Sequence, residues 1–102
     1  MAIVTVTILN FRYNPESVNI SAGDAVQWLN RDVMKHNAKR TTEPVFDTGL
    51  LSQGATSAPI TFNSPAETGY DYSCTPHPGM KGKIVVSESE SFERPEGLCQ
   101  SD

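Results

Sequence analysis

Tyr70-Asp71-Tyr72-Ser73-Cys74-Thr75-Pro76-His77-Pro78-Gly79-Met80-Lys81-Gly82-Lys83-Ile84-Val85-Val86-Ser87 contains two strand-like runs, Tyr70–Ser73 and Lys83–Ser87, separated by a turn rich in proline and glycine. Tyr70 and Tyr72 alternate with polar neighbours, and so do Ile84 and Val86, which is the period of two that a half-buried strand requires. The same rhythm recurs upstream. Val4, Val6 and Ile8 share one face against Ile3, Thr5 and Thr7 on the other. Val18 and Ile20 follow the turn-like Asn14-Pro15-Glu16, Val26 and Trp28 follow Ser21-Ala22-Gly23-Asp24, and Ile60 and Phe62 repeat the pattern later. No segment has a helical period. Short strands with turn signals at close intervals predict an all-β protein, a two-sheet Greek-key β-sandwich of about seven to eight strands. Between Arg40 and Ala58 the alternation breaks down: Pro44-Val45-Phe46 and Leu50-Leu51 flank Asp47-Thr48-Gly49, which suits an edge strand or a loop packed over the core.

The turn between the two runs carries chemistry. Cys74, His77 and Met80 place a thiol, an imidazole and a thioether within seven residues. A soft thiolate with imidazoles and a weak axial methionine suits a copper ion that changes between Cu(I) and Cu(II). Such a site takes a second imidazole, and the chain has only two histidines. The other, His36, follows the strand-like run Ala25–Leu29, so the expected metal ligands are His36, Cys74, His77 and Met80. Both turns must then lie at one end of the sandwich.

Competing readings of these residues fit less well. Zinc takes cysteine and histidine readily, but thioether is a poor ligand for it, and its structural sites use paired ligands from two knuckles. A nucleophilic Cys74 with a histidine base leaves Met80 unexplained and has no evident oxyanion donors. A Cys74–Cys99 disulfide would consume the thiolate that His77 and Met80 are placed to share. Cys99 is instead expected to be a free or intermolecular thiol in a polar tail. Trp28 and Phe62 fall on inward faces and are expected in the core, where their bulk keeps the site dry.

With 102 residues the chain makes one domain and one core, expected over residues 1–88, followed by the tail 89–102. A formal charge of −4 without any long Lys/Arg run argues against nucleic acid, whose phosphates need clustered cations. No apolar stretch approaches the ~20 residues of a membrane span, and Met1 leads into an apparent strand rather than an export signal.

On these residues the chain resembles the cupredoxins, the type 1 blue copper proteins, and most closely their amicyanin branch. The likeness covers Ile3 to Glu88 and is densest in 25–31, in Met34-Lys35-His36-Asn37 and in 70–83. It implies that His36 and His77 bind through Nδ1, Cys74 through its thiolate and Met80 as a distant axial sulfur. It also implies that the Asn37 side chain ties its loop to Thr75 and that its N–H points at the Cys74 sulfur. Pro76 has no N–H, so a second hydrogen bond to the thiolate is missing, which favours Cu(II) and lowers the potential. Gly79 stands where the branch has phenylalanine, removing an aromatic shield beside His77, and Lys35 stands where it has proline.

The function implied is electron transfer by one copper per chain, not enzymatic turnover. Transient redox partners follow, a dehydrogenase or a c-type cytochrome, with a monomeric chain in the periplasm. Docking is expected through Pro76, Pro78 and Gly79, with Lys35, Lys39, Arg40 and Lys81 steering an acidic partner. The alternative is a copper-handling module, a chaperone or storage protein that gives up the metal itself.

Overall fold

The structure is a computed structural model and describes residues 2–88; Cys99 and the tail 89–102 lie outside the described residues. Nine strands follow in order: β1 (Ile3–Leu9), β2 (Arg12–Asn14), β3 (Ser17–Ser21), β4 (Ala25–Asn30), β5 (Lys39–Arg40), β6 (Phe46–Asp47), β7 (Ile60–Thr61), β8 (Ala66–Ser73) and β9 (Lys81–Ser87). They form two sheets, ordered β2-β1-β4-β7 and β3-β9-β8-β5-β6, and no described residue is helical. The predicted all-β sandwich is thus present. The strand number exceeds the expectation because the short strands β2, β5 and β6 pair where the sequence shows no alternation, while β7 is the run of Ile60 and Phe62 cut to two residues. Both readings of the middle segment are realised: β6 is an edge strand, and Leu51 packs into the core from a loop.

Neighbours in the sheets are often distant in sequence. β1 runs parallel to β4, with Val6 opposite Trp28 and Ile8 opposite Asn30. β3 runs parallel to β9, with Val18 opposite Ile84 and Ile20 opposite Val86. Parallel neighbours cannot be joined by a tight hairpin, and in both cases the intervening chain enters the other sheet, which links the two layers. The inward residues are those the alternation names: Val6, Ile8, Val26, Trp28, Ile84 and Val86 are fully buried.

Aromatic rings fill the space between the sheets. Trp28 stacks on Phe46 at 5.6 Å and meets Tyr72 edge-on at 5.4 Å, and Tyr72 meets Tyr13 at 4.7 Å. Burying such a ring removes ~150–250 Å² from water, a gross gain of roughly 4–6 kcal/mol before entropy is counted. Gly82 makes room for this packing. It pairs with Tyr72, and a Cβ on it would fall 2.4 Å from the tyrosine ring.

β8 begins four residues earlier than the alternation suggests. Its register against β9 shifts between Ala66 and Tyr70. Gly69 lies in the shift at φ +90°, where a Cβ would meet the Lys83 side chain at 2.5 Å. A bulge breaks the period of two, which is why Ala66–Gly69 did not read as strand.

Candidate metal centre

His36 is placed by the loop that leaves β4. Asn30, fully buried at the end of that strand, donates from Nδ2 to the carbonyls of Met34 (2.9 Å) and Leu51 (2.8 Å) and accepts at Oδ1 from the Asp32 N–H (2.9 Å). One side chain therefore folds 31–35 into a closed loop. His36 is then bridged to Leu51, whose N–H donates to the His36 carbonyl at 2.8 Å.

The other half of the site is the turn between β8 and β9. The His77 N–H donates to the Cys74 carbonyl at 3.3 Å, the Met80 N–H to the His77 carbonyl at 2.9 Å, and the Cys74 N–H to the Met80 carbonyl at 3.2 Å. Two successive three-residue turns thus bring residue 80 back beside residue 74. Cys74 is fully buried, Met80 is buried in the core cluster, and His77 is half-buried.

These two loops meet. Cys74 Sγ lies 3.5 Å from His77 Nδ1 and 3.7 Å from His36 Nδ1, and the donor atoms of the three residues fall within 4.8 Å of one another. Metal bonds of about 2.0–2.3 Å from nitrogen and sulfur allow these sulfur-to-nitrogen separations around one ion. A thiolate and two imidazoles, two of the three donors shielded from water, form a set suited to copper. The donor chemistry and its spacing therefore fit one such ion.

Asn37 fixes the loops to each other. Its Oδ1 accepts from the Thr75 N–H at 2.7 Å, and its Nδ2 donates to Thr75 Oγ1 at 3.0 Å and Asp47 Oδ1 at 3.2 Å. The side-chain tie to Thr75 is present as the resemblance implied. The expected bond from the Asn37 N–H to sulfur is not among the hydrogen bonds of the described residues. Tyr13 adds a second tie, donating from its hydroxyl to the Asn37 carbonyl. Burial, then the nearby Cys74 and Tyr72, push the Tyr13 phenol far up, so it remains a neutral donor.

Besides Tyr13, two residues at the site escaped the sequence reading. Asp32 Oδ2 lies 2.9 Å from His36 Nε2, and its carboxylate also accepts from the N–H groups of Asn10 (2.7 Å) and Phe11 (2.8 Å). Burial pushes the Asp32 carboxyl up, but the N–H groups of Phe11 and Asn10 and the His36 ring pull it down further, leaving it below the ordinary carboxylate range. Phe11 lies edge-on to both imidazoles, with centroids 5.0 Å from His36 and 4.9 Å from His77. An aromatic ring from outside the 74–80 turn therefore lies beside both imidazoles. The spacing Asp32-x3-His36 was a signal for the first residue, since a carboxylate near a ligating histidine commonly holds its second nitrogen. Nothing local marked the second.

The cations expected around the site differ in availability. Lys35 and Lys81 are exposed. Arg40 is engaged, donating to the carbonyls of Asp71 (3.0 Å) and Glu43 (3.1 Å) with its guanidinium 4.9 Å from the Tyr70 ring centre. These bonds brace β5 against β8.

Known proteins are similar to this chain over most of its described length. The profile of copper binding proteins of the plastocyanin/azurin family matches residues 2–87. Amicyanin of Paracoccus denitrificans is 37% identical over 90 residues, covering 81% of this chain and 64% of that protein. Plastocyanin of a Synechococcus strain is 36% identical over 86 residues, 74% of this chain and 63% of that protein. The chain therefore spans somewhat under two thirds of the length of either relative. Among solved structures, a reduced Cu(I) form of an amicyanin variant superposes with a TM-score of 0.76 at 31% identity, covering 82% of this chain and 81% of that one. With the fold, the clustered thiol and imidazoles and the match over nearly all described residues in agreement, the chain belongs to the plastocyanin/azurin family of copper binding proteins.

Proposed function

We propose that this protein carries single electrons between redox partners by means of one copper ion, which His36 and His77 would hold through Nδ1, Cys74 through its thiolate and Met80 through its thioether. The observation that carries the reading is the convergence of a buried thiol and two Nδ1 atoms, 3.5 and 3.7 Å away, in loops tied together by Asn37. Copper supplies the reversible change between Cu(I) and Cu(II). The chain supplies a cradle that need not rearrange. His36 comes from a loop folded by Asn30, Cys74 from the end of a strand, and each is locked by hydrogen bonds that do not involve the metal.

Electrons enter and leave at the accessible edge of His77, whose ring is the half-buried member of the set. Pro76, Pro78 and Gly79 are exposed around it and form an apolar rim suited to brief docking, with Lys35 and Lys81 as the free cations nearby. Weak, small interfaces are the usual form of redox encounters. Partners of the dehydrogenase or c-type cytochrome class fit this surface, and the chain acts as a monomer that transforms no substrate. The likeness to amicyanin supports a periplasmic location. No helix among the described residues is long and apolar enough to cross a membrane.

Titration of the purified chain with Cu(II) tests the reading. An intense blue or green band from thiolate-to-copper charge transfer should appear at one equivalent, bleach with ascorbate and return on reoxidation with the metal retained. The Met80→Ala variant should keep the colour with an altered spectrum and a changed potential. A colourless protein refutes the assignment, and release of Cu(I) to a mild chelator on reduction supports a copper-handling module instead.

A further inference from the structure

The loop between β1 and β2 is a two-residue hairpin turn, Asn10-Phe11, with Leu9 opposite Arg12. Both turn residues have positive φ, 56° and 58°. Turns of this type favour Asn-Gly, because a side chain at the second position crowds its own backbone. Asparagine tolerates that conformation. Phenylalanine does not, and a strained residue persists only where its surroundings hold it.

Asp32 is what holds it. Its carboxylate accepts from both N–H groups of the turn, at 2.7 and 2.8 Å, while Oδ2 also receives the His36 ring at 2.9 Å. An acceptor at Nε2 places the ring proton there and leaves the Nδ1 lone pair facing Cys74 Sγ, 3.7 Å away. The turn so fixed lays Phe11 against His36 and His77 at 5.0 and 4.9 Å, although 47% of this residue's surface remains exposed. An exposed phenylalanine in a strained turn, in contact with both imidazoles, is hard to explain by packing alone. The space beside Gly79 is open: apart from its two chain neighbours, nothing lies within 4 Å of a Cβ placed there.

We propose that Asp32 and Phe11 form one positioning device for the copper centre: a single carboxylate orients the His36 ring and pins the strained turn that spreads Phe11 over both imidazoles. This rests on the copper reading above. A negatively charged acceptor on Nε2 makes the imidazole a stronger donor, which favours Cu(II) over Cu(I). Loss of Asp32 therefore weakens the preference for Cu(II) and, through the released turn, uncovers the site to small ligands. Phe11 acts by exclusion, and replacing it with glycine relieves the turn while removing the cover.

Three copper-loaded chains, wild type, Asp32→Asn and Phe11→Gly, test this by potentiometry and by the response of the charge-transfer band to added imidazole. Asp32→Asn keeps the shape and removes the charge. It should shift the Cu(II)-to-Cu(I) affinity ratio about tenfold toward Cu(I), a rise of about 59 mV for one electron, and let imidazole perturb the band. Phe11→Gly should fold at least as stably as wild type, keep its potential nearer to wild type than Asp32→Asn does, and become sensitive to imidazole. An Asp32→Asn potential equal to wild type overturns the orienting role. A Phe11→Gly site as closed as wild type, or a destabilised Phe11→Gly chain, overturns the covering role and stands as the decisive measurement if Asp32→Asn does not fold. Nitrogen NMR of the metal-free chain separates this inference from the copper reading: His36 should carry its proton on Nε2 in wild type and lose that preference in Asp32→Asn, whether or not copper binds.

Discussion

Strand β4 has an aspartate at each end, and the two do related work with different reach. Asp24, just before the strand, accepts from the N–H groups of Ala2 (2.9 Å) and Ser21 (3.0 Å). Asp32, two residues after it, accepts from the N–H groups of Asn10 and Phe11 and meets the His36 ring. Because β1 and β4 run parallel, each carboxylate reaches the segment flanking the corresponding end of β1. Both acids are held below the ordinary carboxylate range. Burial opposes the shift in both: for Asp24 the N–H groups of Ser21 and Ala2 outweigh it, whereas for Asp32 burial is the largest single influence and only the hydrogen bonds together overcome it. At one end the device only closes a turn. At the other it includes the His36 ring, so a piece of ordinary strand-end chemistry becomes part of the candidate site.

The contrast can be broken most severely between the two ends. Trp28→Ala empties the centre of β4, where Trp28 is fully buried against Phe46 and Tyr72. It should cost about 3–5 kcal/mol in urea unfolding of the metal-free chain, and a cost under about 1 kcal/mol would show that the rings do not couple the sheets. Next in size is Asn37→Ala at the site end. Removing a buried acceptor leaves the Thr75 N–H without its partner, at a cost of about 1–3 kcal/mol, and should shift the charge-transfer band of the copper form. A wild-type spectrum in that variant would limit the tie to a structural role.

The smallest effect belongs to the far end. A carboxyl depressed by folding contributes stability that is present above its unfolded pKa of about 3.9 and is lost as pH falls through its lower folded value. The metal-free chain should therefore lose melting temperature as it is acidified below about pH 4. Asp24→Asn should make that fall shallower while leaving the copper spectrum unchanged at neutral pH. A changed spectrum would show that the two ends communicate along β4.

Much of this molecule was readable before its structure. Strand faces followed from alternation because burial on one side of a pleated sheet repeats every second residue, as Val6 and Ile8 or Ile84 and Val86 do. His36, Cys74 and His77 were readable because few residue types bind copper and the chain offers few of them. The Gly69 bulge and the two-residue strands β5 and β6 were not, since neither has a period. Asp32 and Phe11 stayed hidden for another reason. Their role arises from three hydrogen bonds between segments 21 to 22 positions apart, or four in the case of the ring, and only the fold brings those donors to one carboxylate.

The pairing of β3 with β9 has a consequence for how the protein is made. Ser87 donates from its hydroxyl to the Ile20 carbonyl across 67 positions of sequence, and the sheet that carries Cys74 is incomplete until β9 docks between β3 and β8. On a ribosome, β3 waits for β9, whose Ser87 follows Ile20 by 67 positions, before that sheet can close. Capture of the ion then belongs to the finished chain, after assembly, and a nascent chain cut short before β9 would have a thiol but no rigid pocket to receive it.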